Sequence, residues 1–200
     1  MSLGITASSC ATTTIASGNV LLLLRGGGLV DESSYNTPLT VTEFYRDTSL
    51  DYDGYGGGCI VAGLGWRYGG IIEANITTSN TYTVEFAIKY SNPNSAVMFS
   101  YKDISMLILG NFYINGKLTN IPPETNVWQF YRIAVNNASV KVYLNGVLAH
   151  TTTITPTNNT YLAIYGSKYS AYDVWYDSFR ITNLVALEAG MPAFPLTTTP

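Results

Sequence analysis

From Thr81 to Tyr90 the chain alternates without a break: Tyr82, Val84, Phe86, Ile88 and Tyr90 fall on one side, and Thr81, Thr83, Glu85, Ala87 and Lys89 on the other. A period of two is the signature of an extended strand with one face toward a core, and it excludes a helix over the same residues. The expectation is that the first set is core and the second meets solvent or a partner. The same rhythm returns at Val140, Val142 and Leu144, and at Ile133 and Val135. No stretch of eleven or more residues repeats its apolar positions at helical spacing.

Asn115-Gly116, Asn136-Asn137 and Asn145-Gly146 separate alternating runs. They supply the residues that tolerate positive φ, as tight hairpins require. Further strands are expected at Val20–Leu24, Leu39–Phe44, Cys59–Gly63, Gly70–Ala74, Ala96–Tyr101, Ile104–Leu109, Gly146–Thr152, Tyr161–Tyr165 and Trp175–Thr182. About a dozen short strands in 200 residues predict an all-β fold, a two-sheet antiparallel β-sandwich built as a single domain.

Hydrophobic residues make up 46% of the chain and charged ones 12%, so the core can be large while the surface relies on Thr, Asn, Ser and Tyr. Hydroxyls and amides lose less on desolvation than Lys or Glu, which suits such a surface to being covered by a partner. The net charge of −3, with Lys and Arg scattered singly, offers no stripe to neutralise successive phosphates, and nucleic acid is not an expected partner. The apolar run Val20–Leu24 is too short to cross a bilayer, so no membrane insertion is expected. No Lys or Arg precedes that run, which reads as a protein assembled without Sec-type export.

Cys10 and Cys59 are spaced as neither a metal knuckle nor a redox pair; two buried thiols are the simpler reading and a disulfide the other. Asn75, Asn137 and Asn158 begin Asn-x-Ser/Thr triplets, which a chain rich in Asn and Thr generates readily. The Thr-rich segments 1–18 and 191–200 lie outside the alternation and read as an N-terminal arm and a C-terminal tail around a sandwich spanning 19–190, docking on this domain or on neighbouring subunits.

The order of motifs in the second half carries a resemblance. Asn126-Val127-Trp128-Gln129-Phe130-Tyr131-Arg132-Ile133-Ala134-Val135 is similar to a Trp-Tyr-His-Ile-Ala-Val strand, and Ser139–Leu148 to a Leu-Tyr-Val-Asn-Gly-x-Leu hairpin. Leu162-Ala163-Ile164-Tyr165-Gly166 resembles a Leu-x-Ile-Gly strand, and Tyr176-Asp177-Ser178-Phe179-Arg180-Ile181-Thr182-Asn183 a terminal Ile-Asp-Asp-Phe-Arg-Ile-Thr-Asn strand. Together they resemble the laminin G-like branch of the concanavalin A-like lectin/glucanase superfamily, in the form found in bacteriophage structural proteins. The resemblance covers most of 20–188 and implies a concanavalin A-like jelly roll.

Hydrolytic members of that superfamily carry Glu-x-Asp-x-x-Glu, which sets two carboxylates across a glycosidic bond. Glu85 is the nearest candidate here, but Ala87 and Tyr90 stand where the partners belong, so no catalytic residue and no enzyme is expected. His150 is the sole histidine and has no nucleophile motif beside it. Asp51 and Asp53, ahead of Gly54, outline a weak calcium site or an Asp-Gly turn, and no other cofactor is expected. Some laminin G-like relatives bind calcium, but Asp177-Ser178 stands where that family often has paired Asp. Tyr52, Tyr55, Trp66, Arg67, Tyr68, Tyr172 and Trp175 gather around a glycine-rich stretch and the start of the last strand. Such side chains bind sugars by stacking and hydrogen bonding, and they anchor protein interfaces equally well. The leading expectation is a non-catalytic virion structural protein, assembled in the host cytoplasm as capsid decoration or as part of a tail or fibre. Its partners would be copies of itself and other virion proteins. The alternative is a carbohydrate-binding adhesion module that attaches a particle or cell to a surface glycan.

Overall fold

Alternation becomes architecture in the computed structural model, which describes residues 19–25, 28–50, 52, 59–62, 70–92, 97–108, 110–166 and 173–183. Among these residues the chain forms fifteen strands and no α-helix. In order they are β1 (Val20–Leu24), β2 (Thr40–Thr42), β3 (Phe44–Asp47), β4 (Cys59–Ala62), β5 (Ile71–Asn75), β6 (Thr81–Tyr90), β7 (Val97–Tyr101), β8 (Ile104–Ile108), β9 (Phe112–Ile114), β10 (Lys117–Leu118), β11 (Gln129–Asn136), β12 (Ser139–Leu144), β13 (Val147–Thr153), β14 (Tyr161–Tyr165) and β15 (Val174–Thr182).

The larger sheet runs β13-β12-β11-β6-β15-β4-β3, and β1 joins it by pairing with β15. Trp175 and Tyr176 pair with β4 while residues 179–182 pair with β1, so these two strands share the side of β15 away from β6, end to end. The second sheet runs β10-β9-β8-β7-β14-β5-β2, and every pairing in both sheets is antiparallel. The expected two-sheet sandwich is therefore the fold.

Between the sheets lies a core whose centre is Phe86, with the rings of Phe99, Tyr131 and Phe179 at centroid distances of 5.8, 5.6 and 5.6 Å. Tyr82, Val84, Phe86, Ile88 and Tyr90 are all fully buried, as the alternation predicted. The Tyr82, Tyr101 and Tyr131 phenols carry pKa values raised well above the usual tyrosine range, with burial as the main cause.

Hairpin chemistry also follows the sequence. Asn115 and Gly116 have φ of 50° and 71°, Asn145 and Gly146 have 48° and 81°, and Asn137 has 51°. Two expectations are corrected. The single strand expected over Leu39–Phe44 is broken at Glu43, whose φ of 55° turns the chain from β2 in one sheet to β3 in the other. At that corner Gly70 packs so closely that a Cβ would lie 2.4 Å from the Glu43 carbonyl oxygen, which requires glycine. The second correction concerns β6: Thr83, Glu85 and Ala87, expected to face solvent or a partner, are as buried as the core side chains between them.

Candidate functional site

What buries that second row is the chemistry of the larger sheet's outer face. Cross-strand register sets Arg132 and Arg180 on either side of Glu85. Arg132 Nε donates to Glu85 Oε1 at 2.9 Å, and Arg180 Nε donates to Oε2 at 2.7 Å, with Arg180 Nη2 2.5 Å from the same oxygen. Both carboxylate oxygens are occupied by buried guanidinium groups, so Glu85 joins three strands and is not available as a hydrolytic acid or base.

Beside this triad, Val20, Leu23, Ala87 and Phe130 form a small second core covered by Tyr52 and Trp128. The Tyr52 ring lies parallel to Phe130 at 6.5 Å and tilted against Trp128 at 5.5 Å. Its backbone is fixed from 125 residues away: Tyr52 N–H donates to Asp177 Oδ2 at 2.9 Å, while Ser178 N–H donates to Asp177 Oδ1 at 2.7 Å. Ser178 takes a φ of 50°, and the β15–β6 register shifts between Asp177 and Arg180, which defines a β-bulge. Burial, and secondarily the Asp177 charge, raises the Tyr52 phenol above the ordinary tyrosine value. Replacing Asp177 by alanine would leave two inward N–H groups without their acceptor. The expected loss is about 1–3 kcal/mol in urea unfolding, with a shift in tryptophan emission as Tyr52 leaves Trp128.

Further along the same face, Trp175 pairs directly across from Lys89. The Lys89 ammonium lies 5.4 Å from the Trp175 ring centroid. Trp175 Nε1–H donates to Asp47 Oδ2 at 3.1 Å, and Asp47 Oδ1 accepts from Ser49 N–H at 2.8 Å and from the Ser49 hydroxyl. The Ser49 hydroxyl, then the Ser49 N–H, holds the Asp47 carboxyl below its ordinary pKa, with Trp175 adding a smaller push in the same direction. Asp47 therefore keeps its charge, and its grip on Trp175, under mildly acidic conditions. Tyr45, 58% exposed, extends the row from β3 across β4. Tyr45, Lys89 and Trp175 from the strands, with Trp128 and Tyr52 from segments packed against them, thus form a partly exposed aromatic array on the outer face of the larger sheet, with the Lys89 ammonium within it.

Of the seven aromatic and arginine candidates from sequence, Tyr52 and Trp175 fall on this face. Tyr55, Trp66, Arg67, Tyr68 and Tyr172 lie outside the described residues, as do Asp51, Asp53, Cys10 and the arm and tail segments. Trp175 is held from two sides, its N–H donating to Asp47 and its ring lying against Lys89. Among the described residues no group of three metal-ligating side chains occurs. Sequence reasoning passed over Tyr45, Lys89, Asp47 and Trp128; Tyr45 and Asp47, two apart in a short run of alternating residues, were the available signal for a shared face.

No protein-family model matches the sequence, and no curated protein matches it. Solved structures do match its fold. The binding domain of botulinum neurotoxin serotype D/C VPI 5993 superposes with a TM-score of 0.67 at 15% identity, over 86% of this chain and 50% of that one. The serotype C1 binding domain gives 0.65 at 15% identity, over 87% and 51%. A type C structure, whose cell entry is described as dependent upon interaction with two ganglioside molecules, gives 0.64 at 14%, over 86% and 49%. At these identities the likeness is one of fold, a β-sandwich found in binding domains. The chain spans about half the length of each of these structures.

Proposed function

We propose that this protein is a non-catalytic recognition module that binds a glycan on the outer face of its larger sheet. The observation that carries the reading is the array of Tyr45, Trp175, Trp128 and Tyr52 around Lys89, with Tyr45, Trp175 and Lys89 on strands and Tyr52 and Trp128 packed on the small second core of the same face. Aromatic faces take the apolar faces of sugar rings, and positioned donors fix their hydroxyls. Two further supports are the engagement of Glu85 by two arginines and the fold shared with binding domains, one described through gangliosides and another solved in complex with rat synaptotagmin II. Because the chain matches only half of those domains, the ligands of the whole domains support the class of function and not the position of the site.

Glycan-array screening followed by titration calorimetry tests the reading. The double variant Tyr45→Ala/Trp128→Ala is expected to weaken the best ligand about tenfold or more, from the loss of two stacking surfaces. Absence of any ligand on a broad array would end the proposal.

A second reading is assembly within a virion, as capsid decoration or a tail or fibre component. It is favoured by the motif order from Asn126 to Asn183, which resembles bacteriophage laminin G-like proteins, and by the low charge. In that case the same aromatic face is an interface with copies of the chain or with other virion proteins, and the protein resides in the particle. The two readings part on whether isolated protein binds free oligosaccharide.

A further inference from the structure

The glycan reading leaves one feature of the array unused. A neutral sugar calls for stacking surfaces and a mixture of donors and acceptors, yet the centre of this face is a cation. Lys89 is half-buried, its ammonium set by the Trp175 ring, and among the described residues no carboxylate lies within 4 Å of it and no oxygen accepts from it. The carboxylate on the strand next to Lys89, Asp177, accepts from the Tyr52 and Ser178 N–H groups, and Asp47, beyond Trp175, accepts from the Trp175 indole and from Ser49 twice. The ring contact offsets part of the cost of desolvating the ammonium but leaves its three N–H donors open.

The surroundings reinforce the sign. On the outer face of the larger sheet the described cations are Lys89, Arg132, Lys141 and Arg180 and the described carboxylates are Asp47, Glu85 and Asp177, four against three, which nets +1 on a chain of net −3. Arg132 and Arg180 are nearly buried and both grip Glu85, so their charge acts as field and not as a contact. Lys89 is the member of this set that combines partial exposure, a fixed position and open donors.

From this juxtaposition we infer that the ligand of this face carries an anion, a carboxylate or sulfate on a sugar ring, which Lys89 receives beside the Tyr45 and Trp128 stacking surfaces. The inference rests on the glycan reading and adds a selectivity to it. The Trp175 ring holds the ammonium in place before binding, so little side-chain entropy is lost on contact, and Asp47 is a positioning residue that acts through Trp175.

Titration of the full chain with matched pairs separates the two claims. The probes are sialyllactose against lactose, for a carboxylate, and 6-sulfogalactose against galactose, for a sulfate ester. At low ionic strength the anionic member of at least one pair is expected to bind about fivefold more tightly, the size of a partly exposed ion pair, and the advantage is expected to shrink in half-molar salt. Lys89→Gln is expected to erase the advantage of the anionic member over the neutral one, and Asp47→Asn to reduce it. Equal binding of both members by the wild type, or an advantage that survives in Lys89→Gln, overturns the selectivity and leaves glycan binding standing. Failure of every probe and of the array overturns both.

Discussion

Glu85→Ala is expected to lower the stability of the protein by about 3–5 kcal/mol, the loss that follows when one member of a buried ion network is deleted and the others stay. Arg132 and Arg180 are 7% and 6% exposed, and the carboxylate they share is 1% exposed. Truncating it leaves two guanidinium groups of like charge, on the two strands that flank β6, without the oxygens that satisfied three of their donor contacts. For a domain of this length about 2–4 °C of melting temperature goes with each kcal/mol, so a drop of roughly 10 °C in thermal unfolding is the expected reading. Replacing the whole network, Arg132→Met with Glu85→Leu and Arg180→Met, is expected to restore most of the loss, because burying apolar groups of similar volume removes the desolvation cost together with the attraction. A loss below 1 kcal/mol for Glu85→Ala would mean that water reaches the triad and that the network does not tie β11, β6 and β15 together. Insolubility of the single variant with a stable triple variant would carry the same conclusion as the expected loss.

That triad also marks where reading the sequence ran out. Period two identifies a strand and separates its faces, and the alternation of Thr81–Tyr90 did both. It does not say what lies on the second face. Glu85 among Thr83 and Ala87 looks like a solvated residue until β11 and β15 bring an arginine to each side of it, and those partners stand 47 and 95 positions away. The same holds for the aromatic array: Lys89 and Trp175 are cross-strand neighbours, and Asp47 reaches Trp175 over 128 positions. Turn residues were legible because their conformational demand is local, as at Asn145-Gly146. The break at Glu43 was not, because a left-handed glutamate at a corner is stabilised by tertiary placement, there by the close approach of Gly70, and not by its own preference. Tyr52 was selected for its chemistry, and only the structure shows that an aspartate in the last strand holds its backbone on the sheet.

Phe86→Ala is expected to match the loss at Glu85, again about 3–5 kcal/mol, by the opposite physics. Phe86 is fully buried on the inner side of β6, one position from Glu85 on its outer side. Its ring stands 5.6 Å from Tyr131 and from Phe179 in nearly parallel stacks, 5.8 Å from Phe99 and 6.5 Å from Tyr176. Because Phe99 belongs to the second sheet, this one side chain links β11 and β15 to the facing layer. Truncation removes the transfer energy of the ring and leaves a cavity whose other walls are rigid aromatic rings that cannot collapse into it. Phe86→Leu keeps most of the volume and is expected to cost less than half as much. Urea unfolding measures both, with an unchanged dependence on denaturant if the native state keeps its compactness. Rescue distinguishes the two sides of the strand: the apolar replacement of Arg132 and Arg180 is expected to recover the Glu85 loss and not the Phe86 loss. A Phe86→Ala loss under about 1.5 kcal/mol would show that the two sheets repack around the gap, and that the aromatic cluster does not fix the spacing on which the outer-face array depends.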